Sequence, residues 1–227
     1  MSFSYEERLV DSPFVRTIWR TRSESNDCYT AFADGSWDII LIKHDTTTKV
    51  LLGGPMSRAT PIPYIEGSEY LGIRFKIGTF IPYLPASRIV DVTSVLPEVR
   101  KTAFWLAGTA WEIPTYENVE AFVARLVRRD LLLCDNVVMD ALLREEQTCM
   151  LSPRSVQRHF LKITGLTQAY IRQIERANLA ANLLRQGTPI LTVVHTVGYA
   201  DQAHMTKSLK HLSGQTPAQI IQASKYS

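Results

Sequence analysis

Along the first ninety-five positions, apolar residues cluster in short β-branched and aromatic runs: WDIILIKH (37–44), KVLLG (49–53) and YLGIRFK (70–76). Turn-forming stretches bound them, namely ADGS (33–36), GGP (53–55), ATPIPY (59–64) and IPYLP (81–85). Such punctuated runs predict strands. Prolines at 55, 61, 63, 82 and 85 argue against helices here. A small antiparallel sheet or half-barrel is expected. From about Leu96 the period changes. Within NVEAFVARLVRRDLLL (118–133), Val119, Phe122, Val123, Leu126 and Val127 take the three-and-four spacing of an amphipathic helix. DNVVMDALLREEQ (135–147) predicts another helix, with Asp135 placed to cap it. Everything after Leu151 reads as helices joined by short turns.

The helical half contains an internal repeat. SPRSVQRHFLKITGLTQAYI (152–171) aligns with DQAHMTKSLKHLSGQTPAQI (201–220) at a constant offset of 49 residues. Ser152 and Asp201 are paired N-caps. Val156, Phe160 and Ile163 match Met205, Leu209 and Leu212 as one buried stripe. Gly165 and Gly214 suit left-handed C-caps, and Thr167 and Thr216 stand ready to cap the next helices. Ahead of the second copy, GTPILTVVHTVGYAD (187–201) offers Thr188 as a cap, Pro189 in a first turn and Gly198 as a stop. A short helix, a glycine turn and a second capped helix make a helix-turn-helix. TQAYIRQIERANLAANLLRQG (167–187) reads as one long helix connecting two such units. This arrangement can set two recognition helices in successive major grooves, about 34 Å apart.

The fold class expected is therefore α+β: a β-rich, half-barrel-like domain with trailing helices over residues 1–134, then an all-α domain over 135–227. Charge sharpens the contrast. Residues 148–227 carry nine Lys and Arg against two acids, Glu175 and Asp201, a balance of +7. Residues 1–147 carry sixteen against twenty, a balance of −4. A basic helical half fits an anionic partner, or else a solvated basic surface. Three widely spaced cysteines (Cys28, Cys134, Cys149) fit free thiols in a reducing cytosol rather than a disulfide framework. No run of about 18 apolar residues suggests a membrane helix, and the amino-terminal MSFSYEERLV lacks the apolar core of a signal peptide.

Residues 140–223 resemble the DNA-binding domain of the AraC/XylS family of bacterial transcription regulators. SPRSVQRHF (152–160), TG (164–165), RANLAANLL (176–184), VGYADQAH (197–204) and GQTP (214–217) carry the resemblance. Through ADGSWDII (33–40), GGP (53–55) and LGIRF (71–75), the front region resembles the N-terminal domain of a subgroup of that family. The resemblance implies a cytoplasmic, nucleoid-associated activator or repressor that binds double-stranded DNA. It also implies contact with RNA polymerase, a small-molecule effector and self-association through the front domain. The sequence departs from the family pattern in REEQTCML (144–151), where Glu146 and Met150 replace small residues. It departs again at Val194, Met205, Lys207 and Leu209. Lys207 stands where Arg is usual, and lysine lacks arginine's rigid two-pronged fork.

On the first recognition helix, Arg154, Ser155, Gln157, Arg158 and Lys162 oppose the apolar stripe. Arginine can grip guanine and glutamine adenine, each through paired hydrogen bonds. The resemblance places base contacts at Arg154, Gln157 and Arg158. On the second helix the matching surface is Gln202, Ala203, His204, Thr206 and Lys207, with Ala203 or Thr206 suited to a thymine methyl. Arg172, Arg176 and Lys210 are candidates for phosphates. His195 is expected to be structural, and His159 and His211 to face solvent or phosphate. In the front domain, Trp37 and Arg74, with Trp19, Tyr70 and Phe75, are candidates for a ligand pocket or else core. No metal site, cofactor loop, paired carboxylates or nucleophile–base pair is expected, and the chain reads as a binding protein rather than an enzyme. The alternative is a small-molecule-binding or enzymatic front domain with the helical half as a non-specific DNA tether; a third reading makes the front domain a dimerisation device.

Overall fold

A computed structural model describes residues 3–143 and 151–224. The family departures at 144–150 lie outside the described residues. In chain order come β1 (Phe3–Leu9), β2 (Val15–Ser23), β3 (Asp27–Ala31), β4 (Asp38–His44), β5 (Thr47–Gly53), β6 (Thr60–Tyr64), β7 (Glu69–Phe75), β8 (Thr79–Phe80), β9 (Thr93–Val95), β10 (Glu98–Arg100), β11 (Ala103–Leu106) and β12 (Thr109–Glu112). Helix α1 (Val119–Arg128) and strand β13 (Leu133–Cys134) follow. Six strands in the order β1-β2-β7-β4-β5-β9 form an antiparallel sheet. Strands β3 and β6 make a separate two-stranded ribbon, and β10-β11-β12 a meander.

Strand alternation gives the sheet two different faces. Ile18, Ile39, Leu41, Val50, Leu52, Ile73 and Phe75 enter a core shared with Phe104 and Trp111 of the meander and Phe122 and Leu126 of α1. Ile40, Ile42, Leu51, Tyr70 and Arg74 face the other way, toward the β3–β6 ribbon, and line a cavity with it. Of the antiparallel sheet or half-barrel expected from the sequence, the structure has the sheet, with a ribbon laid across one face. Prolines 61 and 63 sit within β6, opposite Thr30 and Cys28. A two-stranded ribbon has a free edge on each strand, so missing amide donors cost little there.

One expected helical stretch is shorter than its apolar pattern. The run 118–133 is helical only to Arg128. Asp130 turns left-handed (φ 54°), and the Leu131 amide closes back on the Leu126 carbonyl. Leu133 and Cys134 then leave the helix to pair with Phe80 and Thr79. The region beyond Leu96 is also not purely helical, since the meander at 98–112 precedes α1.

The remaining elements are α2 (Asn136–Leu143), α3 (Pro153–Thr164), α4 (Gln168–Arg185), α5 (Ile190–Val197), α6 (Gln202–Ser213) and α7 (Pro217–Ser224). Asp135 Oδ1 accepts the Val138 amide and so caps α2. The second core joins Val156, Phe160 and Ile163 of α3 to Met205, Leu209 and Leu212 of α6 across the buried face of α4. Phe160, Met205 and Leu209 have no exposed surface. Truncating such a residue to alanine costs roughly 2–5 kcal/mol. Pro189 itself is the N-cap residue of α5, one position later than Thr188, because its extended ψ (141°) delays the helix to Ile190.

Candidate nucleic-acid interface

The 49-residue repeat is built twice with the same hydrogen bonds. Ser152 Oγ accepts the Ser155 amide at 3.3 Å, and Asp201 Oδ1 accepts the His204 amide at 2.7 Å. At the far ends, Thr164 Oγ1 donates to the Phe160 carbonyl (2.8 Å) and Ser213 Oγ to the Leu209 carbonyl (2.7 Å). Gly165 and Gly214 then turn left-handed, at φ 71° and 73°. Helices α3 and α6 are therefore equal in length and matched at both ends, with α4 packed against each.

Burial separates the two faces of each helix. On α3, Arg154, Gln157, Arg158 and Lys162 are exposed and Ser155 is half-buried. On α6, Gln202, Ala203, His204, Lys207 and Lys210 are exposed and Thr206 is half-buried. Among the described residues, none of Arg154, Gln157, Arg158, Lys162, Gln202, Lys207 and Lys210 makes an ion pair or a side-chain hydrogen bond. Their donors are open to a partner. Three others are partly committed. Ser155 Oγ lies 3.1 Å from Ser152 Oγ within the cap. Thr206 Oγ1 donates to the Gln202 carbonyl at 2.8 Å, which leaves its methyl group as the group on offer. The His204 ring stands edge-on to Tyr199, 5.3 Å between centroids.

Several residues expected at phosphates already have partners within the protein. Arg176 lies over the Tyr199 ring at 4.5 Å and is half-buried, fixed by a cation–π contact. Arg172 is exposed, and its charge acts on Glu175. His159 Nδ1 pairs with Asp135 Oδ2 at 2.7 Å, which ties α3 to the cap of α2. His211 Nε2 lies 3.1 Å from the Tyr170 hydroxyl, which itself donates to the Ser57 carbonyl at 2.7 Å. His211 is exposed, as expected, though engaged with Tyr170, while His159 is half-buried against Asp135. His195 is exposed on α5.

The β-rich part grips the C-terminal ends of both α3 and α6. A helix leaves its last carbonyls without partners. For α6 these are met by the Ala33 amide on Leu212 O (2.8 Å) and the Ala59 amide on His211 O (3.0 Å). A methyl added at Gly214 would meet Thr30 at 2.8 Å. The end of α3 rests on the 3-10 turn Ala86–Arg88: a methyl at Gly165 would meet Val90 at 2.5 Å and Ala86 at 3.1 Å.

Between sheet and ribbon lies a cavity of about 500 Å³. Arg74, Trp19 and Tyr70 line it. Trp37 and Phe75 do not: their rings stack at 3.9 Å within the core, and the Trp37 indole donates to the Thr79 carbonyl at 2.7 Å. Asp34 and Asp38, which the sequence reading missed, bracket Arg74. Arg74 Nε lies 3.2 Å from Asp34 Oδ2, and its Nε and Nη2 grip the two oxygens of Asp38 at 3.2 and 3.1 Å. Asp38 draws the Arg74 guanidinium above its ordinary range. Burial pushes the Asp34 carboxyl up to about 6 against the pull of Arg74, with Asp38's charge adding to the rise. No described helix is long and apolar enough to cross a membrane, and no cluster of three or more potential metal ligands occurs among the described residues.

Comparison with known proteins matches residues 147–223 to the family model of a helix-turn-helix domain. Residues 12–93 match a domain of unknown function, DUF6597. The HTH-type transcriptional regulator RipA of Corynebacterium glutamicum is 36% identical over 67 residues. That match covers 30% of this chain and spans only 20% of RipA. A solved structure of ToxT from Vibrio cholerae aligns with 97% of this chain and 98% of its own, at a TM-score of 0.45 and 9% identity.

Proposed function

We propose that this chain, a member of the AraC/XylS family of transcription regulators, reads DNA in a sequence-specific manner by placing α3 and α6 in successive major grooves. The observation that carries the reading is the matched pair of capped helices, 49 residues apart, with open polar faces over one connecting helix. Arg154, Gln157 and Arg158 on α3 are the base readers, and Gln202, Ala203, His204, Thr206 and Lys207 are their counterparts on α6. Ser155 supports the first cap, while Lys162, Arg172 and Lys210 supply charge to phosphates. Phosphate contacts set register, and base contacts set sequence. One chain suffices, acting in the cytoplasm.

Residues 1–134 form a sensing domain and 135–227 the DNA-binding domain, and the cavity is the effector site. Support comes from chain continuity. Asp34 follows Ala33, Thr60 follows Ala59, Met56 precedes Ser57, and Asp91 follows Val90. The first member of each pair lines the cavity, and the second touches the end of a recognition helix or its partner Tyr170. A ligand that shifts these segments acts on both helix ends.

The test is selection of bound sequences from random duplex DNA with the full chain. A bipartite motif is expected, its two elements centred about 10–10.5 base pairs apart. Enrichment of a single short element, or none, would overturn two-groove reading. Affinity for the selected DNA should fall steeply with salt.

A further inference from the structure

We propose that the cavity between sheet and ribbon takes a lipophilic organic cation, its ammonium head against Asp34 and Asp38 and its apolar body along Ile40, Leu51 and Ile62. The inference rests on reading the cavity as an effector site and names the chemistry of the effector. Charge is the first argument. Three lining residues are carboxylates (Asp34, Asp38 and Asp91), and Arg74 is the single Lys or Arg among them. Arg74 is already divided between two of them. Asp91, exposed at the cavity rim, accepts the Ser57 amide and hydroxyl, at 2.7 and 2.6 Å, neither of which carries charge. The buried part of the cavity therefore holds two carboxylates against one guanidinium, where an unpaired charge is costly, and Asp91 adds a third negative charge at its solvent-facing rim. Burial raises the proton affinity of Asp34 and the charge of Asp38 adds to the rise, against the pull of Arg74, so a cationic head there would favour the ionised carboxylate.

The aromatic wall is the second argument. Tyr29 and Tyr64 stack at 6.2 Å, Tyr64 meets Tyr70 edge-on at 4.8 Å, and Tyr5 stacks on Trp19 at 6.5 Å. Ring faces carry negative potential and attract cations most strongly when desolvated. A carboxylate ligand would meet this wall and the aspartates with the wrong sign. The remaining lining is chiefly aliphatic, which suits an apolar body rather than a polyhydroxylated one. The Trp19 Nε1 donor is buried without a partner among the described residues, so one acceptor on the ligand would also be received.

Three soluble probes of matched size separate the possibilities: 2-phenylethylammonium, 2-phenylethanol and phenylacetate, titrated into the full chain by calorimetry. The ammonium is expected to bind at least tenfold more tightly than the alcohol, and phenylacetate more weakly still. Asp34→Asn should cost tenfold or more in ammonium affinity, and Tyr64→Leu several-fold, with alcohol binding little changed. Circular dichroism confirms the fold of each variant. Preferential binding of the alcohol or of phenylacetate overturns the cation but leaves the cavity as an effector site. Absence of binding by the ammonium overturns the cation outright. Selective ammonium binding with no change in affinity for the selected DNA retains the ligand class and refutes the effector reading.

Discussion

Gly72→Ala tests the cavity floor most directly. Gly72 faces Trp19 across β2 and β7, and Ile40 across β7 and β4. Its backbone is thus held by strands on both sides and cannot retreat. A methyl built there lands on Cε2, Cζ2 and Nε1 of the Trp19 indole, well inside contact distance. Carbon atoms settle about 3.5–4.0 Å apart, so the ring must retreat by more than about 1 Å. The direction open to it is the cavity. Such overpacking costs roughly 1–3 kcal/mol. Replacing a strand glycine returns about 0.5–1 kcal/mol through reduced backbone freedom. The net loss is on the order of 0.5–2 kcal/mol, and for a chain of this size each kcal/mol shifts the melting temperature by about 2–4 °C. Melting should therefore fall by roughly 1–8 °C, with altered tryptophan emission and weakened binding of 2-phenylethylammonium. In a Trp19→Ala background the penalty should vanish, because the two sites couple through one contact. An unchanged melting temperature, or an equal penalty with and without the indole, would refute the close approach and the cavity shape drawn from it.

Two further substitutions test other parts of the reading. Arg158→Ala should weaken binding to the selected DNA by about 1–3 kcal/mol and relax preference at one position; gel-shift titration against the motif and its point variants checks it, and unchanged affinity and preference would remove Arg158 from the readers. Asp34→Asn should change the pH dependence of stability. The Asp34 carboxyl, at about 6, keeps its proton in the folded chain where the unfolded chain has lost it. Its contribution is complete below the ordinary aspartate range and is lost as pH rises through 6. Wild-type melting should accordingly decline between about pH 4 and pH 7 relative to Asp34→Asn, and parallel curves would refute the burial of that carboxyl.

The helical half was the more legible part. Caps, apolar stripes and glycine stops are local features, and local features fix helix ends. Even the hydroxyl pair Thr164 and Ser213, at the same 49-residue offset, was readable as a repeated back-bond and was overlooked. The front domain was harder, because its signal depends on which strand face looks inward. In ADGSWDII the aromatic Trp37 drew attention as a ligand contact, yet a one-residue step in a strand reverses the face. Asp38 looks into the cavity and Trp37 into the core. Acidic residues flanking a buried turn beside an arginine were the available clue to Asp34 and Asp38. Strand β3 lacks apolar alternation and β6 contains two prolines, so neither carries a strong strand signal. The pairings of His159 with Asp135 and of Tyr170 with Ser57 are long-range, so no periodicity announces them.

Helices α3 and α6 are not held alike, and on the proposed reading that difference has a consequence for regulation. The end of α6 receives two backbone amides from the β-rich part, and Tyr170 binds both its His211 and the Ser57 carbonyl. The end of α3 meets the Ala86–Val90 segment by packing alone, apart from any partner outside the described residues. Hydrogen bonds are directional and fix an angle as well as a distance. Movement of the 54–60 segment over an occupied cavity is therefore expected to reorient α6 more than α3. On the proposed reading, α6 also presents the less discriminating set, with Ala203, Thr206 and Lys207 where α3 presents Arg154, Gln157 and Arg158. Tyr170→Phe removes the shared hydroxyl and leaves the Ser57 carbonyl short of a donor, a loss on the order of 1–3 kcal/mol. In that variant, DNA with the α3 element scrambled should lose affinity relative to wild type, while DNA with the α6 element scrambled should be bound as before. Equal changes on both DNAs would show that the helices respond as one body and that the unequal grip on their ends has no bearing on what is read.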